Sequence, residues 1–334
     1  MSLKKDKLQA FLAQLKLAEK TNTRISLLIR RTILEIEEEI NNSYYRYKER
    51  YNLSDEEMIK YMKKKLTNAE IEKYVAERNW ALADVTSMKN RVTQLSLLKN
   101  YIIHQTNYIA QESTSEVEKL LKFVIEDTYE KNHYNICKNI GFEIQFNRPS
   151  KSKIEKILNH QWLDSDFYKR IQNNCGRLQQ QVEEVLTTGV LKGSSPQKMS
   201  EQLTKCSNYG INASTRLIRT ETSHFANKCE MEQYKDLGIE KYMWCSTLDS
   251  RVCQRASHKC GKSCAELDGT IFEVGGKDSL MPPDDSHVQC RCTTVAYFDE
   301  ETKNNMLRRA KKNDTGEPIV FKYKTFSEWK ADNN

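Results

Sequence analysis

Thiols and imidazoles crowd into one stretch of this chain, and the backbone that carries them must either gather them at one place or bury them singly. Six of the ten cysteines, Cys245, Cys253, Cys260, Cys264, Cys290 and Cys292, lie between Trp244 and Tyr297, together with His258 and His287. A structural zinc ion takes four Cys or His ligands at tetrahedral corners, often as short-spaced clusters from separate turns. One cluster here is Cys253, Cys260 and Cys264; the other is His287-x-x-Cys290-x-Cys292. Between them Asp268-Gly269, a hairpin-turn dipeptide, precedes the strand-like Thr270-Ile271-Phe272-Glu273-Val274 and then Gly275-Gly276. A hairpin there returns the chain to the metal. Unbonded thiols and disulfides are the alternatives. The first twenty residues lack the apolar segment and cleavage site of a secretory signal. Thiols in a cytosol stay reduced, which favours thiolates on metal over disulfides. The expectation is one structural Zn2+ in the stretch 245–292, held by Cys253, Cys264, His287 and one of Cys290 or Cys292, with Cys260 as reserve.

The same residues carry a resemblance. Trp244…Asp249-Ser250-Arg251-Val252-Cys253, Cys264-Ala265-Glu266-Leu267-Asp268-Gly269-x-x-Phe272 and Pro282-Pro283…His287-x-x-Cys290-Arg291-Cys292 are preceded by Arg219-Thr220-Glu221, Asn227 and Tyr234…Gly238-Ile239. Over roughly residues 180–300 this constellation resembles the head-morphogenesis domain of tailed bacteriophages, the minor-capsid family typified by the F protein of phage Mu. The family has C-x-x-C after Asp-x-Arg, whereas this chain inserts residues between Cys253 and Cys264, and Cys260 lies inside the insertion. Arg219, Glu221, Asp249, Arg251, Asp268 and Gly269 are expected to be structural anchors. Glu221 and His224 form a Glu-x-x-His pair, which serves as an acid/base pair, as part of a metal site, or as a polar anchor; the anchor is the expectation adopted.

The first half reads as helix. Ile29, Ile33, Ile36, Ile40, Tyr44, Tyr47 and Tyr51 step by three or four and share one face. Asn52 and Ser54 end that helix, and Ser54-x-x-Glu57, Thr67-x-x-Glu70 and Ser115-x-x-Glu118 are capping boxes that start others. A helical pattern runs through Trp80, Val85, Met88, Val92, Leu95, Leu98 and Ile102. Arg148-Pro149-Ser150 marks a boundary. Beyond it Phe167, Ile171, Leu178, Val182 and Val185 form the inner face of a helix over 166–188, and Thr188-Gly189-Val190 reads as a loop. Pro196 opens a short helix, Asn212 caps the next, and Gly238 stops it. Strands are expected at 241–244 and 292–297. The fold class is α+β: a largely helical region over 1–148 for partner contacts, a small α+β domain over 149–300 with a Cys/His-stapled hairpin region, and a basic polar tail over 301–334.

Net charge is +7 with 30% charged residues, a mild basic balance that permits nucleic-acid contact without requiring it. The run Arg308-Arg309-Ala310-Lys311-Lys312 is the best candidate for touching DNA phosphates. No apolar run is long enough for a membrane span. Zinc deaminases need H-x-E and P-C-x-x-C, and zinc proteases H-E-x-x-H; neither appears. The resemblance implies a non-enzymatic virion protein inside the capsid near the portal, made in the bacterial host cytoplasm. Its implied partners are the portal protein and other capsid proteins, with non-specific contact to packaged DNA. The alternatives are a zinc-containing, non-specific nucleic-acid binder and, less favoured, a zinc-dependent hydrolase.

Overall fold

The computed structural model describes residues 3–79, 92–140, 148–162, 164–249, 251–255, 261–304, 307–311, 318–325, 327–328 and 331. Trp80, Val85, Met88, His258, Cys260, Lys312, Phe326 and Trp329 lie outside the described residues. In chain order the elements begin with α1 (Leu3–Ile40), which continues through a π-helical turn (Asn41–Arg46) into α2 (Tyr47–Arg50). Next come α3 (Asp55–Lys63), α4 (Asn68–Glu77), α5 (Gln94–Ile140), α6 (Lys151–Leu158), α7 (Phe167–Leu191) and α8 (Pro196–Asp236). The strands and short helices follow: β1 (Lys241–Cys245), α9 (Cys264–Leu267), β2 (Ile271–Glu273), β3 (Thr293–Tyr297), α10 (Glu300–Asn304), β4 (Leu307–Lys311) and β5 (Pro318–Lys322). The fold is α+β, mostly helix with a small antiparallel sheet towards the C-terminal end. Two compact units are formed, one from Thr23–Ser115 and Tyr168–Thr215, the other from Met1–Asn22, Glu116–Phe167 and Arg216–Asn334.

In the first unit the described elements are helical. Ile25, Ile29, Ile33, Ile36, Ile40 and Tyr44 are all buried, as a stripe stepping by three or four requires. Tyr47 stacks on Tyr61 with ring centroids 4.0 Å apart. Tyr51 falls past the end of α2 and is exposed, because Asn52 turns the chain with φ +49°. Ser54 and Thr67 form reciprocal capping boxes with Glu57 and Glu70. On α7 the inner face is Ile171, Leu178, Val182 and Leu186, with Val185 beside it and half-buried. α7 does not break at Gly189. A Cβ there would come within 2.2 Å of the Met199 side chain, so this glycine serves close packing instead of a turn.

Two expected helix starts are absent. α5 runs unbroken through Ser115 and Glu118, and α8 runs unbroken through Asn212. A cap residue starts a helix only where the preceding backbone leaves helical geometry. Inside a helix already stabilised by buried residues the same side chains are ordinary surface groups. Pro196 does open α8, with the Ser195 hydroxyl accepting from the Lys198 amide at 3.3 Å.

The second unit holds the sheet. Gly238, with φ +65°, ends α8 while the Ile239 amide donates to the Tyr234 carbonyl at 2.8 Å. β1 then lies between β2 and β3, antiparallel to both, with Tyr242 opposite Phe272 and Ala296, and Trp244 opposite Thr294. Tyr242, Met243 and Trp244 are all buried. Tyr242 joins Ile136, Met231 and Tyr234 in one apolar cluster. Trp244 joins Leu248, Val252, Cys264, Leu267, Cys290 and Cys292 in another. Asp268-Gly269 does not link two strands but carries the one-turn helix α9 into β2. The Gly269 amide donates to the Trp244 carbonyl at 2.9 Å. Within 301–334 the backbone of Leu307–Lys311 pairs antiparallel with Pro318–Lys322. Among the described residues no helix is long and apolar enough to cross a membrane.

Trp244 is the largest fully buried side chain and sits in the cysteine-containing cluster. Trp244→Ala is expected to lower stability by about 3–5 kcal/mol, the usual loss for a large-to-small change in a core. Urea denaturation of the two proteins checks this.

Candidate metal centre

Three short segments deliver the thiols. β1 ends at Cys245 and positions Ser246; α9 begins at Cys264; the turn before β3 carries Cys290 and Cys292. The sulfurs of Cys264, Cys290 and Cys292 all lie within 4.8 Å of one another, and all three residues are buried. The Cys264 and Cys290 sulfurs are 3.8 Å apart. That is too far for a disulfide, whose S–S bond is about 2.05 Å. It equals the sulfur–sulfur edge of a tetrahedron with metal–sulfur distances of about 2.3 Å, also about 3.8 Å. The group is a buried three-cysteine cluster with the donors and spacing to hold a metal ion.

The segments are held by neighbours of which the sequence singled out Trp244, Asp268, Thr220 and Asn227 but not Ser246, Glu230 or Thr294. Ser246 is the hub. Its hydroxyl donates to the Cys264 carbonyl at 2.5 Å and accepts from the Trp244 indole at 3.2 Å and from the Cys292 thiol at 3.4 Å. Its amide donates to Asp268 Oδ1 at 2.8 Å. α8 supplies the other side. The Thr220 hydroxyl accepts from the Gln289 amide at 3.0 Å, and Asn227 Nδ2 donates to the Cys292 carbonyl at 3.4 Å. Glu230 accepts from the Thr294 hydroxyl at 3.0 Å. Gln289 has φ +63°, a left-handed conformation that a non-glycine residue adopts only where its surroundings fix it. Its amide bond to Thr220 is such a constraint.

The other expected ligands are placed around this core. His287 lies against Cys290, and its Nδ1 is bonded to the Val288 carbonyl at 2.9 Å. Cys253 is half-buried and packs against the cluster, and its carbonyl accepts from the Ala265 amide at 3.1 Å. Hydrogen bonding to Cys290 raises the His287 pKa to about 9. Hydrogen bonds from Cys264 and then Cys292 hold the Cys290 thiol far below its ordinary value, and the two donor thiols are pushed up correspondingly.

Asp249 ties the turn after β1 to the cysteine turn. Its carboxylate accepts from both terminal nitrogens of Arg291, at 2.5 and 2.8 Å, and from the Arg251 amide at 2.9 Å. The Arg251 side chain is exposed and 3.7 Å away. Gly269 has φ +79°, and a Cβ there would lie 2.5 Å from the Tyr323 hydroxyl. On α8, Arg219 forms an exposed ion pair with Glu19 at 3.0 Å. Glu221 is buried and accepts from the Trp162 indole at 3.2 Å. Arg308, Arg309 and Lys311 lie on β4.

A second grouping lies elsewhere in the same unit: His160, His224 and Asp284, whose ligand atoms also fall within 4.8 Å of one another. Trp162 stacks on His224, with ring centroids 4.5 Å apart and planes 7° apart. Of these residues only His224, in its Glu-x-x-His pair, carried a signal in the sequence. His160, Trp162 and Asp284 sit at distant positions with no motif spacing between them.

Burial raises the pKa of Asp249, but the Arg291 hydrogen bonds and charge outweigh it, so the carboxyl stays below its usual value. A depressed folded-state pKa gives stability that is present above the unfolded value, about 3.9, and lost as pH falls through the folded one. Arg291→Ala is expected to cost about 1–3 kcal/mol at neutral pH, less than a fully buried pair because Arg291 is partly exposed. Denaturant melts over a pH series should also show a smaller loss of stability below about pH 4 in the variant than in the parent.

Residues 180–295 match the model of the family described as Phage Mu protein F like protein. An uncharacterised protein of Haemophilus influenzae is 25% identical over 197 residues, which make up 58% of this chain and 42% of that protein. The chain thus spans less than half the length of this relative. No solved structure matches. The family match agrees with the resemblance carried by the Asp249–Cys292 motifs. The matched stretch, residues 180–295, contains Cys264, Cys290 and Cys292.

Proposed function

We propose that this chain is a minor capsid protein of a tailed phage or prophage, located inside the head near the portal, where it assists head assembly or the delivery of DNA without catalysing a reaction. The observation that carries this reading is the phage Mu F-like match over 180–295. In this reading residues 1–148 make contacts with portal and capsid proteins, and residues 149–300 form the head-morphogenesis domain. Synthesis and assembly take place in the host cytoplasm. Co-expression of a tagged chain with the portal and major capsid proteins of its own phage tests the role. The tagged chain is expected to sediment with assembled heads. A chain that stays in the soluble fraction while heads form without it contradicts the proposal.

The metal in this reading is one structural zinc ion. Cys264, Cys290 and Cys292 supply three ligands, and Cys253 or His287 the fourth. When bound, zinc cross-links α9 to the cysteine turn and adds its binding free energy to the stability of a small core. Nothing in this role requires an open coordination position. The anchors Asp249, Asp268 and Gly269 keep the three segments in register with the ion. Elemental analysis of protein purified under reducing conditions is expected to give zinc, and Cys264→Ser or Cys290→Ser to lose the equivalent held by the thiolates. Cys253→Ser and His287→Ala identify the fourth ligand. Chelation is expected to lower Tm, and a metal-free protein with an unchanged cooperative melt contradicts the assignment.

Contact with packaged DNA is assigned to Arg308, Arg309, Lys311 and Lys312. Binding through such a run is electrostatic, indifferent to sequence and steeply dependent on salt, because each neutralised phosphate releases condensed counterion. With about four contacts, affinity should fall roughly 10²-fold between about 50 and 200 mM salt. Anisotropy on unrelated duplexes checks this, with alanine at the four positions expected to flatten the salt dependence. Strong preference for one sequence favours a free-standing nucleic-acid binder instead.

A further inference from the structure

His160, His224 and Asp284 come from three separate places: the turn after α6, the buried face of α8, and the loop that leads into the cysteine turn. His224 is fully buried. Its Nδ1 is bonded to Asp284 Oδ1 at 2.6 Å, while its Nε2 is buried without a hydrogen-bond partner. Buried polar atoms are nearly always paired, so this nitrogen calls for an explanation. The neighbours do not satisfy it. The Trp162 indole N–H is directed to Glu221, and its ring lies flat against His224. The His160 ring is parallel to the His224 ring, within 4°, with centroids 5.7 Å apart. Lys228 is the nearby cation and engages Glu232 at 3.6 Å.

A polar anchor needs only the bond between His224 and Asp284. It gives no use to the second imidazole nitrogen, nor to a second histidine whose ligand atom lies within 4.8 Å of the pair. A coordinated cation gives both a use. We propose that His224, through Nε2, and His160 bind a divalent transition cation of the zinc class at a second metal site, separate from the cysteine cluster, with Asp284 orienting the His224 ring through Nδ1. Imidazole donors suit zinc, cobalt or nickel over calcium or magnesium, which prefer all-oxygen sites. An imidazole that holds metal through one nitrogen commonly engages a carboxylate through the other. Asp284 lies three residues before His287. An ion here ties the turn at His160 to α8, whose His224 holds the loop at Asp284 that leads to Cys290 and Cys292.

The test is titration of the full-length protein with Co2+ after chelator treatment under reducing conditions. Cobalt bound by thiolates gives an intense near-ultraviolet charge-transfer band, whereas cobalt held by nitrogen and oxygen gives only weak visible bands. The parent protein is expected to take up cobalt in both forms. His160→Ala, at a half-exposed position where misfolding is not expected, and the near-isosteric Asp284→Asn should each weaken the uptake that lacks the thiolate band by about tenfold or more. The thiolate band should persist in both variants. Parent protein that binds no cobalt beyond the thiolate-bound equivalent overturns the proposal, as do variants that bind as much as the parent. Absence of the thiolate band alone removes the cysteine-site reading and leaves this one standing.

Discussion

Convergence of three sulfurs beside one tryptophan is the constraint on which the C-terminal sheet region depends. The segments that carry Cys264, Cys290 and Cys292 are a one-turn helix and an irregular turn, and neither has enough backbone hydrogen bonds to hold its shape alone. Their apolar cover is Trp244, Leu248, Val252 and Leu267, with Ala265, Phe272 and Leu280 partly buried against them. A core of that size stabilises little, so polar and ionic ties carry much of the geometry. Ser246 reaches both thiol segments, and the Asp249–Arg291 pair closes the turn. Three donors at metal-binding separation are what remains when these ties are all made.

α8 links that geometry to the rest of its unit. Along its length Thr220, Glu221, His224, Asn227 and Glu230 are buried, an unusual run of polar side chains for a helix interior. Each has its own partner: Trp162 after α6, Asp284, Gln289 and Cys292 between β2 and β3, and Thr294 on β3. A helix that spends so many buried positions on hydrogen bonds acts as a template for irregular backbone. Such a module keeps one shape with little core, which suits a protein whose proposed work is to fit among larger assembly partners.

Much of this was legible in the sequence. The stripe from Ile29 to Tyr44, the capping boxes at Ser54 and Thr67, Pro196, Gly238 and the strands on either side of the cysteines follow from periodicity and local chemistry. The failures have a common cause. Ser115, Gly189 and Asn212 have the residue types of helix ends, yet each lies within a continuous helix, and Gly189 is explained only by Met199 packing on it from another segment. Clustered cysteines announced a metal-type site, but spacing alone left open which thiols meet, and a choice between Cys290 and Cys292 was built into that reading. The structure brings both to Cys264 because Cys292 turns back to Ser246, a contact between residues 46 apart. His160 and Asp284 had no local signal, since their relation exists only through the fold.

The most direct measurement is X-ray absorption at the zinc edge of protein carrying His160→Ala, loaded with one equivalent of zinc. A shell of at least three sulfurs at about 2.3 Å is expected, with Cys264, Cys290 and Cys292 as its source. A first shell made only of nitrogen and oxygen, or a protein that retains no zinc, contradicts the reading of the three thiols as a metal centre.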